Sequence, residues 1–367
     1  MKMAEAFTGL NHEVTLHALK GRGETSQNVF NHYGVHQNCY FKLKRHDHDN
    51  LWICRVLNAL CRWIPTLRIG GLTSLIYAST ALKFRHGVDL LVSRNMYWLF
   101  PFRDTYPFIY ETHSPPESIV HQYLERKLVH SKNCKGFVVI SEKLKEAYLQ
   151  IFPNINDKII VAHDAAEDPK EAESVIKKTL KRPIKNIGYV GNLYNGRGID
   201  VIIAAAKALP DYQFHIVGGS AKPIEKIFTV IPSNIIFYGH RPYEQLKEFY
   251  SIFDLVLAPY QRKVAVFGNA GDTSRYMSPL KIFEYMAWGL PVICSDLPVL
   301  KEVLSNQYNA LLVPPDQPDY WVDAIKKISS DNNLRRSLAK NSRKKFLKAH
   351  RWSTRGNYIL NSIDLPT

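Results

Sequence analysis

The sequence predicts an α/β protein built from two Rossmann-like domains. Short apolar runs that resemble strands alternate with amphipathic helical runs, which is the pattern of α/β architecture. This pattern stops in the charged segment 164–185 and then starts again, and 367 residues are too many for one ordinary domain. We therefore expect a first domain over 1–170, a second over 171–350, and a C-terminal helix over 351–367 that packs back toward the first domain.

The first domain is expected to begin on a helix, over residues 2–9, instead of on a strand. A Rossmann-like domain normally begins with a strand and a turn that packs its first helix. We therefore expect that this domain lacks its first strand, because the chain is truncated or because its true start lies upstream of Met1. Its strands are predicted at 14–18, 90–93, 108–111, 136–140 and 159–162, and its other helices at 51–64, 70–84, 116–131 and 141–151.

The second domain repeats the alternation with short elements. Glycines follow three of its strands, in turns that begin at Gly191, Gly218 and Gly239. Open α/β sheets bind ligands at the carboxyl ends of their parallel strands, so these turns predict a ligand site. The alternative for the first turn is that its glycines serve only the turn itself. The strands are predicted at 186–191, 213–217, 235–238, 255–258 and 310–313, and two helices at 198–209 and 243–251.

The stretch 278–296 is the most informative part of the chain. Ser278 and Pro279 form a helix-start signature, in which a hydroxyl caps the helix and a proline is preset for its first turn. Gly289 is expected to end the helix in a left-handed conformation, and Pro291 prevents the helix from continuing. Residues 292–294 then predict a buried parallel strand.

Two charged residues in this helix indicate a ligand. Lys281 lies on the first turn, where the helix N-terminus already attracts anions. Glu284 lies among apolar residues, where an unpaired carboxylate is costly, so we expect a polar partner for it. Together they predict a phosphate-bearing ligand at the helix start and a carboxylate that holds hydroxyl groups nearby. The alternative for Lys281 is that it only caps its helix.

Composition excludes several classes of protein. The five cysteines, Cys39, Cys54, Cys61, Cys134 and Cys294, lie far apart, which argues against zinc and disulfides and fits a reducing cytoplasm. No apolar run is long enough to span a bilayer, and no signal peptide is visible. The net charge of +15 attracts nucleic acid and anionic membranes, but no nucleic-acid-binding motif accompanies it.

Two segments predict attachment to an anionic membrane surface. Segment 51–64, from Leu51 to Ile64, is apolar except for Arg55, Asn58 and Arg62, which form a narrow helical stripe. The second segment is a C-terminal basic run without acidic residues: Arg335, Arg336, Lys340, Arg343, Lys344, Lys345, Lys348, Arg351 and Arg355. The alternatives are a nearly buried core helix for the first segment and a solvated helix face for the second.

The second half contains the stretches YVGNLYNGRGIDVII, FHIVGG, IIFYGHRPYEQLKEFYSIFDLVLAPY, SPLKIFEYMAWGLPVICSD and KEVLSNQYNALLVPPD. These stretches resemble the retaining glycosyltransferases of the GT-B fold, in the large family numbered four, and in particular its subgroup with SPLK and FEYMA motifs. In the first half MKMAEAFTGLNHEVTL, YETHSPPE, LERKLVHSKNCKGFVVISEKLKEAYL and KIIVAHDAAED match more loosely. The resemblance covers nearly the whole chain except about residues 20–85, and it implies two Rossmann-like domains that face a cleft.

The resemblance assigns most of the donor site to the second domain. Glu284 matches the second glutamate of a paired-glutamate motif and is implied to hold the ribose of the donor nucleotide. Arg197 matches the basic residue that contacts the diphosphate. The helix start that meets the diphosphate and the sugar comprises Ser278, Pro279, Leu280 and Lys281. The other donor-binding residues implied are Gly191, Asn192, Gly196, Gly218, Gly219, Gly239, His240 and Arg241.

The remaining assignments concern the sugar. His113 matches a histidine of the first domain that lies near the transferred sugar, and its alternative is a structural histidine at a strand end. The chain departs from the family pattern where the first glutamate is expected, because that position is Tyr276. Asp272 is a candidate substitute for this carboxylate. Asn192 replaces the usual arginine of the glycine turn, so Arg197 and Lys281 are expected to carry the charge that faces phosphate.

The resemblance implies a retaining hexosyltransferase that moves a sugar from a nucleoside diphosphate sugar to an acceptor hydroxyl. His113, Lys281 and Arg197 are the candidate catalytic residues. No DxD-like motif is found, so we expect no metal and no cofactor beyond the nucleotide sugar. The acceptor is expected to be a sugar or a lipid-linked sugar of envelope polysaccharide or glycolipid assembly, in the cytoplasm or on the inner face of the membrane. The alternatives are a truncated or degenerate non-catalytic relative and, less favoured, a sugar-nucleotide epimerase.

Overall fold

A computed structural model describes residues 1–19, 26–35, 40–46, 87–116, 118–219, 230–265 and 271–364. The predicted helices 51–64 and 70–84 lie outside these residues, and so does the first of the two segments that predict membrane attachment. The chain divides into two compact units. The first comprises Met1–Ala162 with Gly356–Thr367, and the second comprises His163–Arg355.

The first unit contains a parallel four-stranded sheet in the order β3-β4-β5-β6 and a separate parallel pair of β1 and β2. Its chain begins on a helix, as predicted. Strand β2 was not predicted, because basic residues alternate with its inward-facing Phe41 and Leu43. The elements are α1 (Lys2–Gly9), β1 (Val14–Leu19), α2 (Ser26–Tyr33), β2 (Phe41–His46), β3 (Leu91–Ser93), α3 (Met96–Leu99), β4 (Phe108–Thr112), α4 (Ile119–Val129), β5 (Cys134–Val139), α5 (Glu142–Ile151) and β6 (Ile159–Val161).

Hydroxyl and amide side chains fix the starts of the helices around this sheet. The Ser118 hydroxyl accepts a hydrogen bond from the His121 amide at the start of α4, and Ser141 accepts from the Leu144 amide at the start of α5. Such caps satisfy backbone amides that have no partner inside the helix. The carboxyl end of β4, which leads to His113, is therefore followed by a helix with a defined first residue.

The last residues of the chain complete the core of the first unit. Helix α12 (Trp352–Asn361) brings Ile359 and, just after it, Ile363 against Ile109, Val138 and Ile160 of the sheet. Gly136 of β5 has no side chain because a Cβ there would lie 2.9 Å from both Ile160 and Ile363. The C-terminal segment is therefore an integral part of this core.

The second unit is a parallel six-stranded sheet in the order β12-β11-β10-β7-β8-β9. The chain starts at β7, builds outward to β9 and returns beside β7 with β10. Open α/β sheets bind ligands where the strand order reverses in this way, which here is between β7 and β10. Its elements are α6 (Ala172–Thr179), β7 (Asn186–Val190), α7 (Ile199–Ala208), β8 (Gln213–Val217), β9 (Ile235–Gly239), α8 (Leu246–Ile252), β10 (Leu255–Ala258), α9 (Leu280–Ala287), β11 (Val292–Ser295), β12 (Leu311–Val313), α10 (Pro318–Ser330) and α11 (Asn332–Ala349). The predicted α/β architecture with two Rossmann-like halves is confirmed.

The C-terminal basic run is divided between the interior and the surface. Arg335 of α11 is buried and donates to the carbonyl oxygens of Arg182 and Thr179, both at 2.7 Å. Arg343 is buried and donates to the Ala287 carbonyl and the Asp168 carboxylate, also at 2.7 Å. The residues that stay exposed, Arg336, Lys340, Lys344 and Lys348, recur every four positions and form one stripe. The sequence pattern did not separate these two roles.

No helix in the described part of the chain is long and apolar enough to cross a membrane.

A buried carboxyl group lies beneath the carboxyl end of β4. Glu125 of α4 is 2% exposed and accepts hydrogen bonds from the hydroxyls of Tyr110, at 2.5 Å, and Tyr148, at 3.0 Å. Burial raises its pKa to about 7, although both tyrosine hydroxyls act in the opposite direction. The Tyr148 hydroxyl also lies 3.0 Å from the Ser114 carbonyl oxygen. The carboxyl group therefore helps to order the turn that follows His113.

We expect the free energy of unfolding to fall as pH rises from about 4.5 to about 7 because of Glu125. The folded protein holds this proton more tightly than the unfolded chain, so ionisation costs stability on the order of 2 to 3 kcal/mol across that window. Urea unfolding of wild type and Glu125→Gln at several pH values measures the difference. The difference should change between pH 5 and 7 and stay constant above pH 8. A pH-independent difference would contradict the assignment.

Candidate functional site

The glycine turns of the second unit lie side by side at one edge of its sheet. The Gly191 amide, after β7, donates to the Val217 carbonyl at 2.9 Å, and the Gly218 amide, after β8, donates to the Gly239 carbonyl at 2.8 Å. Gly196, in the first turn, has a φ of 79°, and a Cβ there would lie 1.9 Å from the Lys263 carbonyl oxygen. That glycine is required by the turn itself. The structure therefore brings the predicted turns together and gives at least one of their glycines a structural role.

The Lys281 side chain extends from the first turn of α9 into the protein interior, next to Tyr189 of β7. It is only 8% exposed, and its Nζ has no hydrogen-bond partner among the residues that the structure describes. The ammonium instead lies 3.7 Å from the ring centre of Tyr189 and 5.0 Å from that of Tyr260. A Cβ at Gly191 would lie 2.7 Å from this Nζ, so a larger residue there would displace the lysine side chain.

Burial makes the charged form of Lys281 unfavourable. Burial, together with the nearby Arg197 cation, holds the pKa of the Lys281 ammonium well below its ordinary value, and the Glu284 carboxylate opposes this only in part. Contact with aromatic faces offsets part of the lost hydration. An anion at this point would restore the charge balance, because an unpaired buried charge is otherwise costly.

Arg197 approaches the same aromatic ring from the glycine turn. Its guanidinium carbon lies 5.4 Å from the ring centre of Tyr260, and one Nη donates weakly, at 3.4 Å, to the Ala265 carbonyl. Its Nε is buried and has no partner within the described part of the chain. The Lys281 ammonium and the Arg197 guanidinium thus both lie near the Tyr260 ring, and each has an N–H group without a partner among the described residues. This arrangement suits a diphosphate.

Glu284 has the polar partner that its position requires. Its Oε2 accepts a hydrogen bond from the Tyr250 hydroxyl at 2.7 Å, and Tyr250 stacks on Trp288 with ring centres 5.5 Å apart. Burial raises the pKa of Glu284, while Tyr250 and Lys281 act against that shift. One carboxylate oxygen is thus fixed by Tyr250, and the second oxygen makes none of the hydrogen bonds described.

Two of the predicted donor residues hold loops together. The predicted capping role of Ser278 is wrong: its hydroxyl accepts from the Asp164 amide at 2.8 Å, and α9 begins after Pro279 without a side-chain cap. Asp272 is exposed, and its Oδ1 accepts from the amides of Val264, at 3.0 Å, and Ser274, at 2.9 Å. Burial raises the pKa of Asp272, but these hydrogen bonds outweigh it and leave the pKa below its ordinary value.

The other predicted donor residues differ in exposure. Tyr276 is half-buried, and Leu280, at the first position of α9, is 48% exposed. Asn192, His240 and Arg241 are exposed at the ends of β7 and β9.

His113 belongs to the first unit and is held on both sides of its ring. Arg94 donates to its Nδ1 at 2.8 Å, and its Nε2 lies 2.8 Å from the Glu111 carboxylate. Because an arginine can only donate, Nδ1 is the acceptor and Nε2 carries the proton that Glu111 accepts. The two contacts therefore hold the imidazole in a fixed orientation.

Sequence reasoning missed the aromatic residues that contact Lys281, Arg197 and Glu284, which are Tyr189, Tyr250 and Tyr260. Tyr189 lies two positions before Gly191 on β7, and Tyr260 lies two positions after the end of β10. Aromatic residues at neighbouring strand ends are by themselves a weak signal for a ligand site. The sequence also placed a lysine at the start of a nearby helix, and the combination of these features was available in the sequence. Tyr250 was not accessible in this way, because it is separated from Glu284 by 34 residues.

Within the described residues, no group of three or more histidine, cysteine or acidic side chains is arranged to hold a metal ion.

Most of the second unit matches a known protein family. Residues 171–345 match the family described as glycosyl transferases group 1. This match supports the predicted family and includes Arg197, Lys281 and Glu284. The O-antigen chain mannosyltransferase of Salmonella typhimurium is 26% identical over 61% of this chain and 59% of its own length. The chain spans 58% to 59% of the length of several curated relatives that it matches.

Solved glycosyltransferase structures share the fold. Sucrose-phosphate synthase of Thermosynechococcus elongatus has a TM-score of 0.68 and 18% identity, over 98% of this chain and 90% of its own. The Anabaena protein HepE, solved in complex with UDP and glucose, has a TM-score of 0.66 and 14% identity, over 98% of this chain and 94% of its own. At these identities the likeness concerns the fold alone, and it confirms the predicted fold class.

We expect Lys281→Met to raise the free energy of unfolding by about 1 kcal/mol or more, because a well-packed apolar side chain replaces an unpartnered buried amine. Because the folded pKa is depressed, the wild type should approach the variant in stability as pH rises toward 10.5. Urea denaturation checks both. The matched control is Lys344→Met on the exposed stripe of α11, which should change stability little. A large loss of stability in Lys281→Met would show that the amine is well satisfied in the fold.

Proposed function

We propose that the protein is a retaining glycosyltransferase that moves a hexose from a nucleoside diphosphate sugar to an acceptor hydroxyl. The observation that carries this proposal is the Lys281 ammonium, buried without a hydrogen-bond partner in the described structure and placed beside Arg197 at the start of α9. The match of residues 171–345 to the glycosyl transferases group 1 family supports the same chemistry.

The barrier to sugar transfer is the negative charge that builds up on the leaving diphosphate. Fixed cations and backbone amides that face this charge stabilise the transition state more than the bound substrate. In this proposal Lys281 and Arg197 face the diphosphate, and the unpaired amides at the start of α9 add a positive field. These groups take the part that a divalent ion plays elsewhere, so the reaction is proposed to need neither a metal nor a cofactor.

Glu284 is proposed to hold the ribose of the nucleotide. Tyr250 fixes one of its oxygens, and the other is left to accept hydrogen bonds from ribose hydroxyls. Gly239, His240 and Arg241 lie at the end of β9 and are proposed to present backbone groups to the base, and Gly218 and Gly219 to line the same pocket. The fixed carboxylate orients the nucleoside, which places the diphosphate at Lys281.

His113 is proposed to position the transferred sugar. Its ring nitrogens are engaged by Arg94 and Glu111, so the ring is held in place, and we propose that it is not the attacking group. This fits a role in orientation. Retention of configuration is then proposed without a protein nucleophile.

The acceptor is proposed to be a sugar or lipid-linked sugar of envelope polysaccharide or glycolipid assembly, at the cytoplasmic face of a membrane. An O-antigen chain mannosyltransferase is among the relatives, and HepE binds UDP and glucose, which supports this choice of substrates. The alternative is a relative that binds the nucleotide sugar without turnover. Tyr276, at the position where the family has its first glutamate, favours that alternative.

Nucleotide binding is tested with UDP, GDP and their sugars in thermal-unfolding assays. A ligand of the folded state at 100 times its Kd stabilises by about 2.7 kcal/mol, so at least one nucleotide should raise the melting temperature by several degrees. Lys281→Met should abolish that rise, and Lys344→Met should retain it. If no nucleotide stabilises the wild type, the donor site is wrong.

Turnover is tested separately from binding. His113→Ala should lower the rate of nucleoside diphosphate release by about 100-fold, since a sugar that is misplaced by an ångström reacts that much more slowly. It should leave nucleotide-induced stabilisation unchanged, because the residues proposed to hold the nucleotide lie in the second unit. Stabilisation of the wild type without release of UDP or GDP from any sugar nucleotide would favour the binding-only alternative.

A further inference from the structure

Helix α4 exposes apolar side chains on its outer face. Ile119 is 85% exposed, Val120 63% and Tyr123 56%. Large apolar residues that are exposed singly are normal on protein surfaces, but a cluster on one helical turn is not. At 100° per residue these three positions fall within one sector of about 100°, and they are adjacent on the surface.

The same face continues as a basic surface toward the end of the helix. Arg126, Lys127 and His130 are exposed and follow Tyr123 at helical spacing. The Lys127 ammonium lies 5.7 Å from the ring centre of Tyr123, so the apolar and basic parts are contiguous. The only acidic residue of α4, Glu125, is buried on the opposite side and bonded to two tyrosines. The exposed face of α4 thus carries positive charge that is not balanced by an acidic side chain of this helix.

We infer that this face of α4, formed by Ile119, Val120, Tyr123, Arg126 and Lys127, docks on an anionic lipid surface. Helices that lie in a membrane interface place aliphatic side chains among the upper acyl chains and basic side chains among the headgroups. Tyrosine suits the boundary, since its ring is apolar and its hydroxyl stays in water. Arg126 and Lys127 complement anionic headgroups.

Charge complementarity selects the lipid surface over other occupants. A protein partner for this face would have to present acidic groups beside an apolar pocket, whereas an anionic bilayer offers both over any area. The face is small, with three apolar side chains, so binding is expected to be weak, reversible and dependent on salt. The inference does not rest on the proposed sugar transfer, since a protein without turnover could bind in the same way.

The test is co-sedimentation of the full chain with vesicles of phosphatidylcholine alone and of phosphatidylcholine with phosphatidylglycerol, at low and high salt. The wild type should bind the anionic vesicles at low salt at least tenfold more strongly than the neutral ones. Ile119→Asn with Val120→Asn should lower this partitioning about tenfold. Arg126→Gln with Lys127→Gln should lower it severalfold and reduce its salt dependence.

Matched controls separate this face from general apolar and basic surface. Val230→Asn with Ile236→Asn removes exposed apolar side chains of the second unit, and Lys344→Gln with Lys348→Gln removes two charges of the α11 stripe. Both pairs should leave vesicle binding within twofold of the wild type. Equal loss from the Lys344 and Lys348 pair would overturn the assignment to α4, because general charge would then explain the attraction.

Other occupants of the face give distinct outcomes. If Ile119→Asn with Val120→Asn lowers the melting temperature by several degrees without vesicles, the face is covered within the folded protein and the inference fails. If sedimentation velocity shows a wild-type dimer that this variant loses, the occupant is a second copy and the inference also fails. Nucleotide-induced stabilisation should be the same in all these variants, so failure here is distinguishable from failure of the donor site.

Discussion

The candidate site of the second unit is arranged around one ammonium group that water does not reach. The Lys281 Nζ lies 3.7 Å from the ring centre of Tyr189 and has no hydrogen-bond partner in the described structure. Two neighbours accommodate this placement: Gly191, where a Cβ would lie 2.7 Å from the Nζ, and Tyr260, which provides a second ring face. Arg197, another cation, shares that ring. A fold optimised only for stability would not keep two cations so close, so the arrangement indicates an anionic ligand.

Hydrogen bonds hold the side chains and the loop beside this arrangement in place. Tyr250 fixes Glu284, and Ser278, which was expected to cap α9, instead accepts from the Asp164 amide. This hydrogen bond joins Asp164, near the start of the second unit, to the loop that leads to Lys281. Preorganised groups lose little freedom on binding, so the available interaction energy goes to the ligand. The first unit shows the same principle at His113, whose ring is fixed by two neighbours.

The sequence predicted the strands other than β2, the glycine turns and the place of Lys281 because these depend on local patterns of a few residues. It was wrong about Ser278, since a helix-start signature does not exclude a stronger partner 114 positions away. It could not divide the C-terminal basic run, where Arg335 is buried and Arg336 is exposed, because charge alone does not report burial. It also gave no sign of Tyr250. In each case the deciding contact joins residues that are distant along the chain.

Helix α4 shows that the polarity of a side chain does not always indicate whether it is buried or exposed. Its inward face includes a carboxyl group, Glu125, which two tyrosine hydroxyls satisfy, while its outward face carries Ile119 and Val120. An ordinary surface helix has the reverse distribution of polar and apolar residues. The buried carboxyl group is explained by its hydrogen bonds, but the exposed aliphatic side chains contribute little to a fold that does not bury them. They are explained if something outside the chain covers them, and the basic residues that follow limit that partner to a negatively charged one.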